Sequence, residues 1–298
     1  MAFRGVGEPE VKIADAIGYV KKFCQGIDAW TGAPIDDATT RDKVTYGREH
    51  LEEECTGIVC CLWATADVIR TAKASGANLI ICHEALFWNH GDRQEVLSGN
   101  KVFAAKRELL DTWGGVVWRC HDYIHSGVPI DDGRYADGIF FGFARKMGWL
   151  DLRVGNVSAC MDYLIPETSG RDLAESLAHA LRLNGTRIIG DADAPISRIQ
   201  IPMHVMGNPE ADTEEIATIE REGIDALVTM EFCDFTVSEY LRDSSLLGRG
   251  RCAITVGHFN LEEPGMECMA GWLPEALGTD AVPVRFVPMG DTYQHVVQ

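Results

Sequence analysis

Three short stretches of the chain end in side chains that bind metals. Asn78-Leu79-Ile80-Ile81-Cys82 runs into His83-Glu84, Val116-Val117-Trp118-Arg119-Cys120 runs into His121-Asp122-Tyr123-Ile124-His125, and Ala253-Ile254-Thr255-Val256-Gly257 runs into His258-Phe259-Asn260-Leu261-Glu262. Imidazole with carboxylate is the donor set of zinc, iron, manganese, nickel or cobalt. His121 and His125 are four apart, as are His258 and Glu262. Where the chain turns helical, that spacing puts both side chains on one face. His83 and Glu84 are neighbours, so within a strand they point to opposite faces; past its end, a turn aims both at one centre.

Each run is rich in β-branched or aliphatic residues and reads as a strand buried on both faces. Ligands in open α/β sheets bind outside the carboxyl ends of the strands, which is where these groups fall. Residues 11–24 read as an amphipathic helix, Trp30 to Lys43 as loop, and Ile58 to Leu62 as a further strand. A helix over Asp67–Ser75, stopped by Gly76, links that strand to the Asn78 strand. This β-α-β unit makes the two strands parallel, with a right-handed crossover. Helices follow over 101–112 and from Tyr135 to Met147.

The segment Ile165 to Gly170 reads as a turn cluster, and a lobe boundary is expected near residue 150, giving lobes 1–150 and 151–298. In the second lobe, Asp172–Leu183 and Asp212–Glu222 read as helices. Arg198–Met206, Asp225–Thr229, Ala253–Val256 and Pro283–Val287 read as strands. The alternation predicts an α/β fold with a largely parallel sheet in each lobe.

Composition restricts the function. The 298 residues carry a net charge of −18, which argues against a nucleic-acid partner because a phosphate backbone demands a basic face. An anionic substrate needs a local cation to reverse that field. No apolar run reaches the roughly 18 residues that span a bilayer, and the N-terminal residues lack a secretory h-region, so a cytoplasmic protein is expected. The ten cysteines form no CxxC pair, which fits buried thiols in a reducing compartment.

Competing readings exist for each group. A single histidine at a strand end is usually a satisfied polar residue, and Glu262 four after His258 is by itself a helix-surface pair; three such ends together favour ligation. Cys82, His83, Cys120 and His121 offer an alternative, a single structural zinc. His50, His90, His179, His204 and His295 belong to no constellation. The acidic stretch from Asp131 to Asp137 lacks the spacing of an EF-hand loop and reads as solvated.

The motifs also resemble a family. Gly76 to Phe87 is similar to the GANLIITHHPLIF segment of the NIF-three-like family (NGG-one-interacting-factor-three-like, or GTP cyclohydrolase I type two). His121 to His125 resembles its HTNLD segment, Asp225 to Glu231 its DVLVTGE segment, and Gly257 to Glu262 its GHYxxE segment. The resemblance implies two α/β lobes, a dinuclear metal centre in the cleft between them, and a ring-shaped homohexamer. His83, His258 and Glu262 match family ligands. Glu84 stands where the family has histidine, and His125 where it has aspartate, a reciprocal exchange that keeps three imidazoles and two carboxylates.

The implied arrangement is two divalent transition metal ions, His83 and His258 on one, Glu84 and His125 on the other, and Glu262 bridging. Such a pair supports metal-assisted hydrolysis of a small, nucleotide-like substrate, because a metal lowers the pKa of its water towards about 7 and so supplies hydroxide. His121 lies on the rim without matching a ligand and is the candidate for proton transfer. Glu231, at another strand end, is a candidate for substrate contact. The alternative to an enzyme is a metal-binding scaffold or regulator, since fold does not imply function.

Overall fold

Aliphatic residues such as Ile58, Val59, Leu79, Ile80, Val116 and Val117 form strands that are buried along their whole length, as the sequence predicts. The computed structural model describes residues 10–29, 31–130, 133–202 and 204–296; the N-terminal segment, Trp30 and the Asp131–Asp132 part of the acidic stretch lie outside the described residues. In chain order the helices are α1 (Ile13–Phe23), α2 (Ala66–Ser75), α3 (Lys101–Trp113), α4 (Asp122–Ser126), α5 (Gly138–Met147), α6 (Gly170–Leu181), α7 (Pro209–Glu222), α8 (Val237–Leu246) and α9 (His258–Leu277). The strands are β1 (Val44–Tyr46), β2 (Ile58–Cys61), β3 (Leu79–Cys82), β4 (Val116–Arg119), β5 (Val128–Pro129), β6 (Tyr135–Ala136), β7 (Asp162–Ser169), β8 (Arg187–Gly190), β9 (Pro195–Gln200), β10 (Ala226–Thr229), β11 (Cys252–Thr255) and β12 (Val284–Phe286). Among the described residues, no helix is long and apolar enough to cross a membrane.

The chain forms two compact units, one of residues Met1–Gly138 with Met266–Met289, the other of Ile139–Gly265 with Gly290–Gln298. The boundary expected near 150 does not coincide with this division. β12, near the end of the chain, pairs with β2 in parallel and so returns the segment around it to the first unit.

In the first unit the strand order is β1-β4-β3-β2-β12, parallel except for β1 at one edge. Alternate residues Val59, Cys61, Ile80, Cys82 and Val117 join Val68, Ile69, Ala72 and Leu110 of α2 and α3 in one core. α2 starts where the Thr65 side chain accepts from the Val68 amide and ends at Gly76 (φ 75°), a left-handed position that suits glycine. The helix expected from Tyr135 begins only at Gly138, because Tyr135–Ala136 pairs with Val128–Pro129 as a small hairpin.

In the second unit the order is β7-β9-β10-β11-β8, with the three central strands parallel and both edges antiparallel. The sequence reading of Ile165–Gly170 as a turn is wrong here. Most of it lies in β7, where Pro166 is tolerated because β7 is an edge strand and its register slips between Leu164 and Thr168. The strand expected over Arg198–Met206 instead spans Pro195–Gln200; Pro202, which has no N–H to donate, lies just beyond its end. Ile219, Ile224, Leu227, Val237, Leu241 and Ala253 form the core between this sheet and α7 and α8.

One buried cation braces the loop after β3. Lys106 of α3 donates from Nζ to the Leu86 carbonyl at 2.6 Å and lies 5.6–5.7 Å from the ring centroids of Trp63, Phe87 and Trp88. Burial pushes its ammonium down to about 8. The unfolded chain keeps the ordinary value of 10.5, so the native chain loses this proton first. Stability therefore gains a contribution as pH rises from about 8 towards 10.5. Lys106→Met is expected to remove that rise, read as urea midpoints of both proteins across the interval. Parallel curves for the two would count against it.

Candidate metal centre

The first group is set by the ends of β3 and β4. The His83 and Glu84 amides both donate to the Leu62 carbonyl, at 2.9 and 2.8 Å, so the chain turns as soon as β3 ends. The His83 ring is fully buried. It stacks on the His121 ring at a centroid distance of 4.5 Å and meets the His125 ring edge-on at 5.0 Å. One ligand atom from each of the three lies within 4.8 Å of the others. His121 immediately precedes α4 and His125 lies one turn along it, as their spacing of four predicts.

Each of these rings has its Nδ1 engaged. His83 Nδ1 donates to the Cys120 carbonyl (3.1 Å), His121 Nδ1 faces Asp122 Oδ1 (3.0 Å), and His125 Nδ1 faces Asp137 Oδ2 (2.8 Å). In a neutral imidazole held this way the lone pair falls on Nε2, the arrangement that orients histidine ligands. Burial, helped by the neighbouring His121, His125 and Arg119, holds His83 well below the ordinary histidine range. Burial likewise pushes His121 down to about 3 against the Asp122 bond that opposes it. Both are therefore neutral at physiological pH and able to donate a lone pair.

Two buried charged groups support this geometry. Asp42 accepts the amides of His121 (2.6 Å) and Asp122 (2.7 Å) on one oxygen and that of Tyr123 (2.9 Å) on the other, capping α4 from a distant part of the chain. Arg119 donates to the carbonyls of His83 (2.9 Å) and His90 (2.6 Å), and its Nη2 lies 3.5 Å from Glu84 Oε2. It thus pins both ends of the 83–90 turn.

The second group lies in the other unit. Gly257 (φ 94°) turns the chain from β11 into α9, and a Cβ there would come 3.0 Å from the Tyr293 ring. His258 and Glu262, one turn apart at the start of α9, face each other with Nε2 3.1 Å from Oε2. His258 Nδ1 makes a short hydrogen bond to Glu231 Oε1, and His204 Nδ1 lies 2.7 Å from Glu231 Oε2. A single carboxylate thus holds two imidazoles. Burial works to raise the Glu231 carboxyl, but the bonds from His258 and His204 bring it down to about 2. Burial opposes a charge on His258, yet Glu231 and Glu262 together lift it to about 10.

The two groups contain His83, His125, His258 and Glu262, four of the five residues named from the sequence as ligands, together with His121 and Glu231; Glu84 follows His83 in the chain and lies 3.5 Å from Arg119 Nη2. His204 is a correction, because it belongs to the second group. A short parallel bridge between Val205 and Phe232 brings it beside Glu231. The signal was present: Ile199-Gln200-Ile201-Pro202-Met203 ends in His204 much as the other runs end in theirs. His90 is also not isolated, since its Nε2 accepts from Arg41 Nε at 2.6 Å. The structural-zinc alternative loses its thiols. Cys82 and Cys120 are buried, and among the described residues no cysteine joins a group with metal-ligand spacing.

A family model described as Duf34/NIF3 (NGG1p interacting factor 3) matches residues 130–292, just over half of the chain. Among curated proteins, none matches the sequence. Hypothetical protein SA1388 of Staphylococcus aureus is similar in structure, with a TM-score of 0.66 at 16% identity over 97% of this chain and 100% of that one. A Bacillus cereus protein related to NIF3 gives 0.67 at 14% identity over 97% and 100%. Reduced HcgD from Methanocaldococcus jannaschii gives 0.58 at 12% identity over 95% and 99%. At these identities the likeness is one of fold.

Proposed function

Since the chain belongs to the Duf34/NIF3 (NGG1p interacting factor 3) family, we propose that it is a cytoplasmic, metal-dependent hydrolase of a small, nucleotide-like molecule, built on a dinuclear centre. The observation that carries this reading is the pair His83 and His125, each with Nδ1 engaged by an acceptor, grouped with His121. That is the form in which imidazoles bind metal rather than protons. His258 and Glu262 fit the same purpose, because an imidazole nitrogen and a carboxylate oxygen 3.1 Å apart are a donor pair that suits a divalent ion.

His83, Glu84, His125, His258 and Glu262 would hold the metal. A divalent pair supplies Lewis acidity and makes water a better nucleophile near neutral pH. The chain's own residues do the rest. Asp137 and Glu231 fix the rings of His125 and His258, and Arg119 holds Glu84 in place. His121, neutral and oriented by Asp122, takes up and returns a proton during turnover. The active form is a homohexamer, checked by light scattering.

Protein purified without chelator is expected to hold two transition metal ions per chain by elemental analysis. His121→Gln is expected to lower turnover about 10²-fold with metal content unchanged, the size of a lost general acid–base group. Absence of any transition metal sinks the reading. Full metal content with no turnover of nucleotides, phosphoesters or cyclic amides makes the protein a metal-binding scaffold instead.

A further inference from the structure

We propose that Arg41 is an anion-binding residue beside the three-histidine group, so that the substrate carries a phosphate or carboxylate group. The hydrolase reading above supplies the substrate; the anion site rests on separate geometry. Arg41 lies on the segment before β1, and its side chain is about 45% exposed between the buried Thr40 and Asp42. Its Nη1 donates to Asp122 Oδ1 at 2.8 Å, the oxygen that also faces His121 Nδ1. One carboxylate oxygen therefore separates the guanidinium from an imidazole of the candidate centre. Its Nε donates to His90 Nε2, and the His90 ring stands edge-on to His121 at 5.7 Å.

The guanidinium is held before any ligand arrives. The Arg41 amide donates to Asp122 Oδ2 (2.9 Å), an oxygen that also accepts from Thr40 Oγ1 (2.8 Å), so backbone and side chain are both tied to one carboxylate. Among the described residues nothing bonds Nη2. A fixed, half-exposed guanidinium edge suits an oxyanion better than a mobile lysine does, because little rotamer freedom remains to be lost on binding. The chain carries a net charge of −18, so an anion approaching it needs such a local cation. The competing role is that Arg41 merely neutralises Asp122. That role predicts a change in stability on replacement and none in anion affinity.

Inorganic phosphate and acetate, titrated calorimetrically into metal-loaded and metal-stripped protein, separate the two roles. Arg41→Gln is expected to weaken phosphate binding about tenfold in both forms, the loss expected for a charge-assisted hydrogen bond. Arg41→Lys, which keeps the charge and loses the planar fork, should fall between and serves if the glutamine variant folds poorly. Lys12→Gln, at the exposed Lys12–Glu52 pair, should bind as the unaltered protein does. The better-bound probe identifies the anion as phosphate or carboxylate. Equal affinities for Arg41→Gln and unaltered protein overturn the proposal, as does absence of saturable binding by the unaltered protein. If the protein holds no metal and Arg41→Gln still loses phosphate, the anion site stands and the hydrolase reading falls. If metal and turnover are present and phosphate binding ignores Arg41, only this proposal falls.

Discussion

His258→Ala and His83→Ala are each expected to leave purified protein short of metal, with a loss of affinity beyond the roughly 10–100-fold that removal of an outer-shell partner produces. Glu231→Gln removes such a partner and is expected to fall within that range. The contrast follows from what each group touches. His258 presents Nε2 towards Glu262 while its Nδ1 is held by Glu231, so alanine deletes the lone pair and glutamine only loosens its aim. His83 is fully buried with Nδ1 on the Cys120 carbonyl, so alanine there likewise deletes an oriented lone pair. Elemental analysis with a chelator competition titration reads all three variants, and far-ultraviolet circular dichroism shows that the fold is intact. If both alanine variants keep the full complement at unchanged affinity, these histidines are not ligands.

Asp42→Ala is expected to destabilise the protein by about 3 kcal/mol, because it strands three amide donors at the start of α4 that are held by a buried carboxylate. α4 is a short helix with no side-chain cap of its own at His121, so Asp42 is what fixes its first turn. The damage should reach the metal as well, since His121 and His125 are carried by that turn. Denaturant midpoints give the stability and the chelator titration gives the affinity. Unchanged midpoints would mean that water replaces the carboxylate without loss, and that the cap has no structural role.

Much of the site was readable along the chain. Apolar runs ending in His83, His121 and His258 fold as strands that stop there, because burial on both faces selects short aliphatic strands and the first polar residues mark their ends. The spacing of four in His121–His125 and His258–Glu262 becomes one helical turn, because the helical repeat is a local property. Gly76 and Gly223 end helices for an equally local reason, a backbone angle that glycine adopts without strain.

Partners from distant parts of the chain were not readable in this way. Asp42 meets the amides of α4 some eighty residues on, His204 meets Glu231 through a bridge between separate strands, and β12 crosses back to pair with β2. Pro166 looks like a turn residue until its strand proves to be an edge. Periodicity records which face of an element is buried, but hydrogen-bond partners depend on strand order and register, which are set only when the sheets assemble. The residue types and their spacing thus declared the donors, while the folded units chose which acceptor holds each Nδ1 and placed Arg41 beside His121.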